Sequence, residues 1–158
     1  MTVSSSLDHV RAQYEALPYP PRDPRDEAIR LVTGTPSHIL EVNHYLFSGR
    51  LNFVRPFRAL VAGGGTGDAC IMLAQQLVDR RCPGEVVYLD ISTASRQICE
   101  GRAKARGLRN INFITGSRCG MGKTSNTLTV SFFTSPLSLI SRSVCFCVKA
   151  YSVKRCSS

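Results

Sequence analysis

No acidic residue occurs after Glu100 in this chain of 158 residues. Residues 1–117 carry 14 basic and 11 acidic side chains, whereas residues 118–158 carry six basic and none acidic. The formal charge of +9 is therefore weighted toward the tail. The basic patch interleaved with aromatics that a groove reader or base-stacking platform needs is missing too, so nucleic acid is not an expected partner. The tail reads as a solvated basic extension. Long apolar runs are missing as well. The longest uncharged stretch, Thr124 to Ser141, contains Pro136 and ten Ser, Thr or Asn residues, which excludes a membrane-spanning helix. Met1–Ser6 leads into a polar segment with no apolar core, so no secretory signal is read and a cytoplasmic location is expected. The seven cysteines form no C-x-x-C, and Cys145-Phe146-Cys147 has no histidine near it. Reduced thiols and no metal site are expected. Gly120-Met121-Gly122-Lys123-Thr124 lacks the earlier glycine of a phosphate loop, because position 117 is Ser117.

What is present is a glycine corner. Leu60-Val61-Ala62 reads as the end of a buried strand, Gly63-Gly64-Gly65-Thr66-Gly67 as a turn, and Ala69 to Val78 as a helix. Glycines let a backbone turn sharply and come close to a ligand, and a helix N-terminus offers N–H groups. Gly65 is read as a point of close approach to that ligand. The spacing is G-x-G-x-G; the dinucleotide fingerprint G-x-G-x-x-G would need glycine where this chain has Asp68.

Around this corner the chain divides into three parts. Residues 1–56 read as a helical leader or lid. A short amphipathic helix covers Leu7 to Leu17, Pro18-Tyr19-Pro20-Pro21 is extended, a second helix covers Asp26 to Val32, and a third, capped by Ser37, runs to Phe47. Residues 57–117 read as strands at 58–62, 85–90 and 111–115, with helices over 69–78 and from Ser92 to Arg106. That β-α-β-α-β order implies a parallel α/β sheet with the strand at 85–90 in the middle. Arg102, Lys104, Arg106 and Arg109 read as a solvated basic face. Residues 118–158 read as an irregular tail, although Thr127 to Phe132 alternates like a strand and is suited to pairing with a sheet edge. Asp90 ends the second strand, 23 residues after Gly67. Beyond the carboxyl ends of a parallel sheet it would lie beside the glycine corner, where its carboxylate can accept both hydroxyls of a ribose; the alternative is a purely structural role near the start of the next helix.

Three segments, Leu60–Gly67, Val87–Ser92 and Ile111–Ser117, resemble the first three strand ends of class I S-adenosylmethionine-dependent methyltransferases. The leader Val10-Arg11-Ala12-Gln13-Tyr14-Glu15 with Pro18-Tyr19-Pro20 resembles leaders of a largely bacterial branch of that superfamily. The resemblance covers about residues 8–117 and implies a Rossmann-like sheet. It implies S-adenosylmethionine as cofactor and Gly63, Gly64, Gly65, Thr66, Gly67, Asp90, Ile91 and Ser117 as cofactor-binding residues. It also implies a helix N-terminus near Asp68 facing the methionyl carboxylate. It assigns no catalytic residue, because the sulfonium methyl is already activated and the protein's task is alignment.

The chain also departs from that pattern. Ala62 stands where many members carry an acid, Gly116-Ser117 stands where an acid usually meets adenine, and no fourth strand or substrate-side element is read after Ser117. The expectation is an incomplete sheet of about three strands in a truncated methyltransferase whose methyl acceptor is unknown. A non-catalytic cofactor-binding or regulatory fragment and an NAD(P)-dependent oxidoreductase are the alternatives.

Overall fold

The computed structural model describes residues 3–34, 37–116, 128–131 and 147–149. The leader opens with helix α1 (Val3–Ala16), which stops before Pro18. The chain then runs extended to a 3₁₀ turn at Pro24–Ala28. This turn replaces the helix expected over 26–32. Asp23 accepts the Arg25 N–H and Pro24 holds the first position, so the turn begins early. Helix α2 (Ile39–Phe47) is capped by His38, whose Nδ1 accepts the Leu40 N–H at 3.2 Å, rather than by the expected Ser37, which is buried.

The sheet follows the sequence expectation. Strand β1 (Phe57–Ala62) lies parallel to β2 (Gly84–Asp90), which lies parallel to β3 (Ile111–Thr115), with β2 in the middle. Each parallel step is bridged by a helix: α3 (Asp68–Asp79) between β1 and β2, and α4 (Thr93–Ala105) between β2 and β3. Successive strand side chains alternate between faces. Ala59, Val61, Val86 and Tyr88 pack with Ile39, Ile71, Leu73 and Cys99 in one core, while Leu60, Ala62, Val87 and Leu89 cluster with Ile114 on the other side.

The sheet does not stop at three strands. β4 (Leu128–Ser131) pairs in parallel with Ala59–Ala62 of β1, and β5 (Cys147–Lys149) pairs antiparallel with β4, giving the order β3-β2-β1-β4-β5 among the described residues. A fourth strand was not expected to have a counterpart, yet the uncharged, alternating segment near 127–132 supplies one. The free N–H and C=O groups along the β1 edge are a template for such a segment. The remaining residues of 118–158 lie outside the described residues. Among the described residues no helix is long and apolar enough to cross a membrane.

The corner between β1 and α3 is packed from behind. Gly67, the residue before α3, has φ of 100°, and a Cβ there would overlap the Cys99 thiol. Gly67→Ala should therefore lower stability by about 2–4 kcal/mol, from the left-handed backbone and overpacking together. Gly34→Ala, where a Cβ meets open space, should stay within about 1 kcal/mol of the parent. Urea unfolding followed by circular dichroism checks this; equal midpoints for the two variants would refute it.

Candidate functional site

The glycine corner is held by the end of β2. The N–H groups of Gly63 and Gly64 donate to the Leu89 carbonyl at 2.8 and 3.2 Å, and that of Gly65 donates to Asp90 Oδ2 at 2.8 Å. The Gly67 N–H donates to the Gly64 carbonyl at 3.0 Å. From behind, the buried Tyr88 hydroxyl donates to the Gly65 carbonyl at 2.7 Å. Burial pushes the Tyr88 phenol well above its ordinary range, with the Asp90 charge adding to the effect, so that hydroxyl remains a donor.

The leader closes the corner from outside. The Thr66 N–H donates to the Tyr19 carbonyl at 3.4 Å, and Thr66 Oγ1 donates to the Pro20 carbonyl at 2.6 Å. A Cβ on Gly65 (φ 51°) would stand 2.6 Å from the Tyr19 carbonyl oxygen. A close approach at Gly65 is made by the chain's own backbone, and Gly65 also lines the cavity beside the corner. Each N–H from Gly63 to Gly67 has a protein acceptor; the helix N-terminus expected to offer N–H groups is a separate element that begins at Asp68. The leader also caps α4. The Glu15 carboxylate accepts the N–H groups of Thr93 and Ala94 at 2.6 and 2.9 Å, and Ser92 Oγ accepts that of Ser95 at 3.1 Å. Those two backbone donors hold the Glu15 carboxyl below its ordinary value.

A buried ionic network joins leader, corner and α4. Arg102 is fully buried, which corrects its reading as part of a solvated face. Its Nε donates to Glu27 Oε1 at 2.7 Å, and its Nη1 donates to the Thr66 carbonyl at 2.8 Å and to Asp68 Oδ1 at 2.7 Å. Arg106 pairs with the other oxygen of Glu27. Arg22 grips Asp68 with a two-pronged pair, Nε to Oδ1 at 2.9 Å and Nη2 to Oδ2 at 2.7 Å. Burial pushes the Asp68 carboxyl up, but the donors of Arg22 and Arg102 outweigh it and hold the group below its ordinary value.

A cavity of about 350 Å³ lies between leader and corner. Gly63, Gly64 and Gly65 line it from the corner, Tyr19 and Arg22 from the leader, and Asp68 from α3. Asp90 is buried, with 9% of its surface exposed, and is not among the residues that line this cavity; it reaches the corner through Gly65. Its Oδ1 accepts the Ser92 N–H at 2.9 Å while Oδ2 holds Gly65, so it ties the corner to the approach of α4. Ile91 is partly exposed beside it, and Thr66 is buried. Ser117 lies outside the described residues. His44 is an exposed side chain edge-on to Tyr45 and lines no part of the cavity. Among the described residues no cluster could hold a metal ion, and Cys70, Cys82 and Cys99 are free thiols.

Residues 47–137, more than half of the chain, match the ubiE/COQ5 methyltransferase family. The chain belongs to that family. No curated protein matches the chain. Among solved structures it is similar to coclaurine N-methyltransferase bound to N-methylheliamine and SAH, at 16% identity, over 55% of this chain and 24% of that one, with a TM-score of 0.40. It is similar to a dimethyladenosine transferase from Plasmodium falciparum, at 14% identity, over 69% and 35%, with a TM-score of 0.44. It is similar to a mutant of MtNAS in complex with S-adenosylmethionine, at 17% identity, over 81% and 56%, with a TM-score of 0.47. The chain thus spans less than two thirds of each of these proteins. The ubiE/COQ5 match begins within α2 and runs through both crossover helices to β4, so it includes the corner, Asp68, Asp90 and Arg102, while the leader residues that close the corner precede it.

The network can be tested by stability. Arg102→Ala removes the buried cation shared by the buried Glu27 and the half-buried Asp68, leaving them Arg106 and Arg22 respectively, and should cost about 3–5 kcal/mol of stability. Lys104→Ala, on the exposed side of the same helix, should cost within about 0.5 kcal/mol. Equal urea midpoints for the two would refute the bridging role. Asp68 has a folded-state pKa below its unfolded value of about 3.9. Its contribution is present above that unfolded value and is lost as pH falls through the folded one. Stability measured between pH 6 and about 2 should fall less steeply for Asp68→Asn than for the parent; parallel curves would show that Asp68 does not contribute.

Proposed function

We propose that this chain binds S-adenosylmethionine and carries the cofactor half of an enzyme that transfers the sulfonium methyl group to an acceptor. The observation that carries the reading is Asp90: a buried carboxylate at the carboxyl end of the middle strand, fastened at 2.8 Å to Gly65, which lines the cavity. A carboxylate offers about four acceptor positions, and two are used here by the Gly65 and Ser92 N–H groups. The other two would accept the vicinal hydroxyls of a ribose. Fixing Asp90 from both sides removes the cost of orienting it on binding. Ile91, next in sequence to Asp90, would be an apolar contact for a purine, and Gly63–Gly65 line the cavity where the methionyl end would lie.

S-adenosylmethionine supplies an activated methyl group, so the protein's part is to hold and align. No side chain here is assigned to acid or base chemistry. The division into a leader or lid at 1–56, a cofactor-binding part at 57–117 and a tail at 118–158 belongs to the same proposal. The absence of any acid after Glu100 favours a second reading, a cofactor-binding chain without turnover. The nicotinamide alternative finds no support in the corner. The dinucleotide fingerprint needs glycine at the position of Asp68, and an acid there would face the pyrophosphate.

Titrating the protein with S-adenosylhomocysteine in a calorimeter tests the reading. Asp90→Ala should weaken binding by about 1.5–3 kcal/mol, roughly ten- to hundredfold, through lost charge-assisted hydrogen bonds. Asp90→Asn, which keeps one acceptor oxygen, should fall between. Unchanged affinity in a folded Asp90→Ala protein would remove the ribose role. Methyl transfer to any acceptor would dismiss the second reading.

A further inference from the structure

The cavity beside the glycine corner has a charge imbalance. The linked ionic groups are Arg22, Arg102 and Arg106 against Glu27 and Asp68, three cations and two anions. Arg102 is sealed in the interior, and Arg106 is mostly buried against Glu27. Arg22, with 29% of its side chain exposed, is the member of the three that lines the cavity. Its Nε and Nη2 are committed to Asp68, while Nη1 has only a long 3.5 Å contact to the Pro21 carbonyl. The N–H groups of the corner from 63 to 67 are spent on the chain itself, so a backbone donor to an incoming anion would have to come from the start of α3. The first residue of α3 is moreover an acid, Asp68, which would repel a ligand carboxylate if it stood alone.

We infer that Arg22 is a ligand-binding residue, whose Nη1 receives the α-carboxylate of the amino-acid portion of S-adenosylmethionine, with Asp68 as the positioning residue that holds the guanidinium flat against the cavity. The inference rests on the reading of the cavity as a cofactor site. The two-pronged pair fixes the plane of Arg22, so little side-chain freedom remains to be lost when the carboxylate arrives. The α-carboxylate would meet the odd cation of the network at Arg22, while the α-ammonium beside it keeps the amino-acid end of the ligand neutral as a whole. A carboxylate at position 62 has no part in this arrangement: Ala62 is buried among Leu60, Val87 and Leu89. In this chain the leader therefore supplies the group that recognises the amino-acid end, and the glycine corner supplies only space.

The test compares two ligands that share the thioadenosine part: S-adenosylhomocysteine, and 5′-methylthioadenosine, which has no amino-acid group. The unaltered protein should bind S-adenosylhomocysteine at least tenfold more tightly, and raising the salt should narrow that ratio. Arg22→Gln should weaken S-adenosylhomocysteine about ten- to hundredfold and leave methylthioadenosine within about twofold. Arg22→Lys should recover part of the loss. Equal affinities of the unaltered protein for the two ligands would overturn the inference while leaving the cofactor reading in place. An Arg22→Gln variant that loses both ligands equally would show a merely structural leader and overturn it too. Binding of neither ligand to the unaltered protein would overturn the cofactor reading and this inference together.

Discussion

The Arg102 guanidinium is the constraint on which the corner depends. It projects from α4 into the interior and meets the Thr66 carbonyl, Asp68 at the start of α3 and Glu27 of the leader. A cation removed from water this completely is tolerated only when its charge is balanced nearby. The leader supplies that balance through Glu27, and so the leader cannot detach without stranding a charge. A lysine would not serve, because three acceptors on different elements call for a forked donor. The result is that two regions far apart in the chain, residues 22–27 and residues 66–68, become one rigid object on the face of α4.

The carboxyl end of β2 acts as the second anchor. Three of its consecutive residues hold the corner by different groups: Tyr88 by its hydroxyl, Leu89 by its carbonyl and Asp90 by its carboxylate. With the Tyr19 carbonyl and Pro20 carbonyl on the outer side, the corner is gripped from both directions. A loop so fully bonded is preorganised, and its shape does not wait for a ligand. It also gives up the anion-binding capacity that a bare glycine turn would have. The leader brings a charged side chain, Arg22, to the cavity.

Much of the scaffold was legible in the sequence, and the reasons are local. Short apolar runs separated by helical patterns gave β1, β2 and β3 with their order, and the Ser92 cap with Gly107 bounded α4. The glycine corner and Asp90 were legible because their spacing is short and their residue types are specific. The ionic network was not. Its partners are separated by 34 to 79 positions, and single-sequence periodicity carries no information about such pairs. One signal was nevertheless present. Ser95, Cys99, Arg102 and Ala103 recur at helical spacing, and all four are buried. An arginine on the apolar stripe of a crossover helix demands an acid from elsewhere, and Glu27 in the leader answers it. Reading the basic run of α4 as one face merged a buried residue with exposed ones.

The leader's position also bears on which ligands the fold can take. A corner with unspent N–H groups binds a pyrophosphate through backbone donors and is indifferent to what lies outside it. Here the outside is occupied by Tyr19 and Pro20, and the opening that remains runs between Arg22, Asp68 and the glycines. A doubly charged pyrophosphate at that opening would face the Asp68 carboxylate with a single partly free guanidinium to offset it. A ligand with one carboxylate faces a smaller repulsion, because the network's surplus is one positive charge. The balance of the network therefore favours a singly anionic group at this end of the cavity, and it does so through residues 22 and 27, which precede the segment that defines the family match.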